Sequence, residues 1–269
     1  KEGLNIWTTI LIPSLLPFII SANLIVDLKI VDIIGFIINP ITRFIFNVSG
    51  KSALVFVIST FSGYPVGAKF ASQLRYNSQI SKSEAQRLVS FCSTSGPLFI
   101  IGAVATGMFQ NPSLGYLMIT CHYLAAISVG LFFRNYGKEI IPKSSQSLRK
   151  NIHNVIDTRY SSGQGFFDLF GNAVFNGVNT LLMVGGFVII FSVVFKILDL
   201  FNIVSLMSNI LYIPLSLFGV TKELCYAFIS GLFEITIGCS KIASVISTPE
   251  VLRATLASFL IGFSGLSIL

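Results

Sequence analysis

Apolar residues fill this chain in continuous runs rather than in alternation, and the runs are broken at few places. Trp7 to Val26 is one such run, with Pro13 and Pro17 inside it. Membrane helices tolerate prolines where neighbours satisfy the freed carbonyls. Val31 to Asn47 mixes Asp32, Asn39-Pro40, Arg43 and Asn47 with isoleucines and phenylalanines, which predicts an amphipathic helix along the interface. Ala53 to Leu74 is long enough to cross but is split by Ser62-Gly63-Tyr64-Pro65. Glu84 to Gln110 is broken at Ser93-Thr94-Ser95-Gly96-Pro97, because Pro97 removes a donor and Gly96 weakens the same turn. Ser113 to Arg134 is a plain span, and a polar stretch follows it. Phe166 to Leu198 contains the next crossing, and Asn202 to Phe218 repeats the interfacial pattern with Pro214 near its end. Leu224 to Val245 is split around Phe233-Glu234-Ile235-Thr236. The run from Glu250 breaks at Gly262-Phe263-Ser264-Gly265.

Two readings fit Ala53 to Leu74. One is a single Pro-kinked crossing helix. The other is a re-entrant hairpin whose arms are each about 13 Å long, roughly half of a ~30 Å hydrocarbon core. Charge separates them. Arg43 and Lys51 precede the segment, and Arg75, Lys82 and Arg87 follow it. A crossing helix would divide these cations between two sides, whereas a hairpin keeps them together, as the positive-inside rule prefers.

The same pattern occurs twice. Ile58-Ser59-Thr60-Phe61-Ser62-Gly63-Tyr64-Pro65-Val66-Gly67 aligns with Ile229-Ser230-Gly231-Leu232-Phe233-Glu234-Ile235-Thr236-Ile237-Gly238. Lys51 matches Lys222, Glu84-x-x-Arg87 matches Glu250-x-x-Arg253, and Ser95-Gly96 matches Ser264-Gly265. The expected fold is therefore an all-α integral membrane protein, an inverted-topology repeat with two re-entrant hairpins and two broken transmembrane helices. Residues 1–134 form the first repeat: span, interfacial helix, hairpin, broken helix, span. Residues 135–165 are a basic cytoplasmic loop. Residues 166–269 are a second repeat, truncated at its end. An odd number of crossings per repeat inverts the second copy, so that the first hairpin opens to the cytoplasm and the second to the opposite side.

Composition agrees with a membrane chain: 53% hydrophobic, 11% charged, mean hydropathy +0.81. No period-two pattern suggests a β-barrel. The net charge is +7, and Arg134, Lys138, Lys143, Arg149, Lys150 and Arg159 sit in one polar stretch against only Glu139 and Asp157. That is a cytoplasmic loop under the same rule, with no fold element to support nucleic-acid binding. Cys92, Cys121, Cys225 and Cys239 form no paired motif and suit packing. His122 and His153 are too far apart to suggest a metal site. No zinc, paired-aspartate or serine-nucleophile motif occurs inside a span, so no enzyme activity and no cofactor are expected. Lys1 is not a start methionine and Leu269 ends within an apolar run, as in a segment of a longer protein.

Candidate chemistry gathers at the breaks. Lys69 and Lys241 follow the two hairpin tips, and Glu234 stands at the second. Ionisable groups within a bilayer are costly and usually serve a pathway or one another. The alternatives are an ion pair of Glu234 with either lysine, or lysines snorkelling to the interface. Interrupted helices expose N–H groups that suit a carboxylate or phosphate. Ser62, Gly63, Tyr64, Ser93, Thr94, Ser95, Thr236 and Ser264 lie at these breaks, with hydroxyls to bond a solute and the Tyr64 ring to stack on a planar one. For any one serine, back-bonding within its own helix is the simpler account.

Ser62-Gly63-Tyr64-Pro65-Val66-Gly67-Ala68-Lys69, Glu84-Ala85-Gln86-Arg87-Leu88-Val89-Ser90-Phe91 and Ser95-Gly96-Pro97-Leu98-Phe99 carry a family likeness. With the paired hairpins they resemble the nucleoside-recognition (Gate) family, which is related in architecture to concentrative nucleoside transporters. The likeness is closer still to the sporulation integral membrane proteins of the YlbJ type from endospore-forming bacteria. Many family members read Asn-Pro where this chain has Gly96-Pro97. The resemblance implies transport of dipicolinate, a pyridine dicarboxylate, from mother cell to forespore across the outer forespore membrane, by alternating access around the hairpin tips. The expected partners are a small anionic solute and the lipid bilayer, with homo-oligomerisation compatible. A nucleoside or other small-solute carrier of the same fold, and a non-transporting scaffold for spore assembly, are the rival functions.

Overall fold

The computed structural model describes residues 2–28, 30–64, 66–137 and 165–266. The basic loop expected over 135–165 therefore lies almost wholly outside the described residues, as does Pro65 at the first tip. Among the described residues every regular element is helical. In order they are α1 (Glu2–Ile6), a π-helical turn (Trp7–Leu11), α2 (Ile12–Asp27), α3 (Ile30–Phe46), α4 (Gly50–Ser62), α5 (Val66–Tyr76) and α6 (Lys82–Cys92). A π-helical segment (Leu98–Met108), α7 (Pro112–Phe133), α8 (Phe166–Leu200) and α9 (Ile203–Leu215) follow. The chain then runs through α10 (Lys222–Phe233), α11 (Ile235–Ser244) and α12 (Glu250–Phe263).

By length and composition α7 and α8 can each cross a membrane, with 22 and 35 residues and mean hydropathies of 1.7 and 2.6. Their apolar side chains stand outward, with Phe132 83% and Phe167 85% exposed. That suits a hydrocarbon solvent and costs free energy in water. The run from Trp7 to Val26 is not one straight span. It bends by 57° where the π-turn meets α2, at Pro13, and proline and π-turns are common causes of such kinks. A second bend, of 100°, separates α3 from α4.

The chain packs as two compact units, neither of which is a continuous stretch of sequence. One is drawn from Phe18–Pro97 and Tyr123–Gly177, the other from Lys1–Pro17, Leu98–His122 and Val178–Leu269. The first, the hairpin-1 unit, holds α3 to α6. Phe46, Val48, Val55, Ala71, Leu88 and Phe91 form its core, with the Phe46 and Phe91 rings stacked at 4.3 Å. Gly130 of α7 lies against both rings, so any larger residue there would displace them. The other, the hairpin-2 unit, holds α9 to α12. Leu224, Phe228, Cys239, Ile242, Leu260 and Ile261 pack with Ile100 and Val104 of the π-helical segment.

Candidate functional site

In the hairpin-1 unit α4 ends at Gly63, whose amide donates to the Ser59 carbonyl at 2.8 Å. Gly63 takes φ 73° and ψ −164°, a region open almost only to glycine. The chain turns at Tyr64, and α5 starts at Val66, whose N–H bonds the Gly63 carbonyl at 3.1 Å. Arm α5 packs back against α4. A Cβ on Gly67 would overlap the Cys92 carbonyl and the Ser59 hydroxyl, and that hydroxyl donates to the same carbonyl.

The break expected in the following helix is present. Ser93 to Gly96 are non-helical between α6 and the π-helical segment. The hairpin tip sits on this break: a Cβ on Gly63 would lie 2.6 Å from the Gly96 nitrogen. In return, a Cβ on Gly96 would stand 3.3 Å from the Gly63 nitrogen. Thr94 and Ser95 are buried, at 3% and 2% exposure. The Thr94 hydroxyl has no hydrogen-bond partner among the described residues. Tyr64 and Ser62 are half-buried, Ser93 likewise, and Lys69 stands exposed one turn into α5. Sequence reasoning missed Tyr123 on α7, whose hydroxyl donates to the Thr60 carbonyl of α4 at 3.0 Å.

In the hairpin-2 unit two helical arms, α10 and α11, also meet at a short turn. Glu234 alone separates α10 from α11, in an extended conformation. Its buried carboxylate accepts from the Ile237 N–H at 2.7 Å and from the backbone and hydroxyl of Thr236. The N-terminus of α11, the kind of position that takes anions, is thus filled by the chain's own carboxylate. The arms cross at Gly231 and Gly238: a Cβ on Gly238 would overlap the Gly231 backbone, and one on Gly231 would overlap the Leu260 side chain. Where the second break is expected, α12 ends at Ser264, in the left-handed conformation with φ 70°; residues 267–269 lie outside the described residues. A Cβ on Gly265 would meet the Gly231 carbonyl and the Ile235 nitrogen, each at 3.2 Å. The Leu266 N–H donates to the Leu232 carbonyl at 2.9 Å. Lys241 does not point at this tip's cap: its ammonium lies 4.4 Å from the Phe195 ring and 5.2 Å from the Tyr226 ring. Asp199, bonded to Lys196 at 2.8 Å, shares that cluster.

The paired Glu-x-x-Arg motifs turn out to be structural clamps. Glu84 accepts from the Ser49 N–H at 2.6 Å and the Ser52 hydroxyl at 2.7 Å, and so caps α4. Arg87, 1% exposed, donates to the carbonyls of Tyr136, Gly137 and Asn47. In the other unit Glu250 accepts from Asn111, and Arg253 donates to the Ala243 carbonyl while lying over the Phe109 ring. No group of histidine, cysteine or acidic residues among the described residues could hold a metal ion.

Compared with known proteins, the chain is 40% identical over 279 aligned residues to the sporulation integral membrane protein YlbJ of Bacillus subtilis (strain 168). The alignment spans the whole of this chain and 67% of that relative. The chain belongs to the YlbJ family. Membership and the apolar helices together make it an integral membrane protein. No protein-family model matches the chain, and no solved structure matches it.

Proposed function

We propose that the chain is a membrane carrier of a small anionic solute acting in sporulation, with dipicolinate as the substrate, moved from mother cell to forespore across the outer forespore membrane. The observation that carries this reading is the hairpin-1 tip seated on the Ser93–Gly96 break, with a buried Thr94 hydroxyl in that break that has no partner among the described residues. The family's name supplies sporulation and the membrane, and the resemblance drawn from the sequence supplies the dicarboxylate. Val66 already gives its N–H to the Gly63 carbonyl, but the N–H groups that follow it in the first turn of α5 have no acceptor within their own helix and suit a carboxylate. Thr94, Ser93, Ser95 and Ser62 offer hydroxyls, Tyr64 an aromatic face, and Lys69 a cation for the second carboxylate. Because Glu234 already fills the matching position in hairpin 2, the anion is assigned to hairpin 1. Transport then consists of the tip lifting from its break and reseating, with alternating access on the two sides. The solute is carried unchanged: the chain is not an enzyme.

The test is dipicolinate uptake by proteoliposomes holding the purified protein. Thr94→Val removes a hydroxyl that bonds nothing among the described residues, so thermal stability should hold while uptake falls at least tenfold. Lys69→Ala should abolish uptake at normal membrane levels, and Lys69→Arg should restore it in part, since a planar fork replaces a point charge poorly. Wild-type protein that binds and moves no dipicolinate would overturn the substrate. Both variants transporting normally would overturn the site.

A further inference from the structure

The end of the hairpin-1 unit opposite its tip carries a different kind of surface. α3 is two-faced. Ile34 and Ile38 pack on Val57 and Ile58 of α4, and Thr42 and Phe46 are buried. Ile37, Ile41 and Phe44, spaced one helical turn apart, face outward at 56%, 55% and 79% exposure. The helix meets α4 at 100°, so if α4 enters the membrane along its normal, α3 lies in the membrane plane. The corner is rigid. Asn47 takes a left-handed φ of 54°, and Arg87 holds the Asn47 carbonyl while Glu84 holds the amide of Ser49.

Cations crowd the helix ends that this clamp gathers. Lys51 starts α4, Lys82 starts α6 and Arg75 ends α5, all exposed. The Arg75 guanidinium donates to the Ile80 carbonyl at 3.4 Å. Arg134, after α7, donates to the Phe44 carbonyl at 3.3 Å, which places a guanidinium at the Phe44 backbone. Arg43 sits on the last turn of α3. Over residues 43–52, 74–84 and 133–137 the only carboxylate is Glu84, buried and spent on Ser49 and Ser52. This surface is therefore positive next to a row of outward apolar side chains.

We propose that this end is seated on anionic phospholipid: α3 lies in the leaflet plane with Ile37, Ile41 and Phe44 among the acyl chains, and Lys51, Lys82 and Arg134 hold lipid phosphates. Charge complementarity selects the occupant. An apolar row alone would accept any lipid or protein, but an apolar row flanked by a surplus of cations matches a leaflet of negative headgroups. The inference does not depend on the transport reading.

Two measurements test it, both on the intact protein in nanodiscs of phosphatidylcholine mixed with phosphatidylglycerol. In a Cys121→Ser background, Ile37→Cys, Ile41→Cys and Phe44→Cys are each labelled with a fluorophore, and quenching by lipids spin-labelled at two depths is compared. An in-plane helix gives the same shallow depth at all three positions. A spanning helix gives a graded series differing by about 10 Å from first to last, which would overturn the proposal. Native mass spectrometry then reads the phosphatidylglycerol retained relative to phosphatidylcholine. Lys51→Gln and Arg134→Gln should each lower that ratio about fivefold, whereas an unchanged ratio overturns it. Inorganic phosphate should leave the ratio unaltered. Full competition by phosphate would show a free-anion site in place of a lipid one, and would count against the proposal.

Discussion

Gly63→Ala is the sharpest perturbation the structure offers, because two independent costs coincide at one atom. The first is conformational. At φ 73° and ψ −164° an L-residue is strained by about 1–3 kcal/mol. The second is steric. The new methyl would stand 2.6 Å from the Gly96 nitrogen, a backbone atom that cannot rotate away, and forcing a methyl into a packed site costs about 1–3 kcal/mol more. Together they amount to about 4 kcal/mol. At roughly 2–4 °C per kcal/mol for a chain near this size, the midpoint should fall by about 8–16 °C. A thiol-reactive dye provides the assay, since Cys92, Cys225 and Cys239 are buried while Cys121 reacts from the start. Gly171→Ala is the matched control. Gly171 lies within α8, and nothing stands within 4 Å of the place an added methyl would take. Alanine favours a helix by about 1 kcal/mol over glycine, so the control's midpoint should hold or rise. A Gly63→Ala protein melting at or above the Gly171→Ala protein would refute the reasoning, because the tip would then not be seated on the break.

Two further outcomes follow from the buried charges. Arg87→Ala removes a buried guanidinium and its bonds to three helix-end carbonyls, and with charged hydrogen bonds worth about 1.5–3 kcal/mol each and not additive, it should cost about 3 kcal/mol in the same melting assay; a loss below about 1 kcal/mol would mean that the clamp is not closed. Glu234→Ala removes the cap of α11 and should cost about 1–2 kcal/mol, whereas Glu234→Gln keeps an acceptor oxygen and should lose visibly less, so equal losses would show that the carboxylate is not acting as a cap.

Both breaks are legible from local signals. Gly96-Pro97 and Ser264-Gly265 interrupt apolar runs with residues that weaken a helix, and the chain is non-helical at Ser93–Gly96 and over Ser264–Leu266. Glu234 stands out for another reason, as a lone carboxylate between two apolar arms. Its use does not. That it caps α11 depends on Ile237 and Thr236 turning back toward it, which spacing permits but does not require. The clamps are the least legible feature. Glu84 and Arg87 look like the polar start of an amphipathic span, and their partners Asn47, Ser49, Tyr136 and Gly137 lie tens of residues away. Sequence position puts Lys241 near the second tip, but the aromatic faces that hold it come from α8 and α10. Packing partners of this sort are set by tertiary structure, and a single sequence does not encode them locally.

The two ends of hairpin 1 differ in what would have to break for them to move. At the tip the contacts joining Gly63 to Gly96 are glycine backbone against glycine backbone, and such contacts are individually weak. At the base, the buried side chains of Glu84 and Arg87 make five hydrogen bonds, and each bond of a charged group is costly to leave unmade. Local opening follows the cheaper route. The hairpin should therefore hinge with a fixed base and a mobile tip, which is the division a carrier of the proposed kind requires. Hydrogen–deuterium exchange in nanodiscs reads this directly: amides of 61–68 should exchange well before those of 49–55 and 85–92. Uniform protection along the hairpin would show that tip and base open together, and a tip that lifts from its break would then have no basis in the packing.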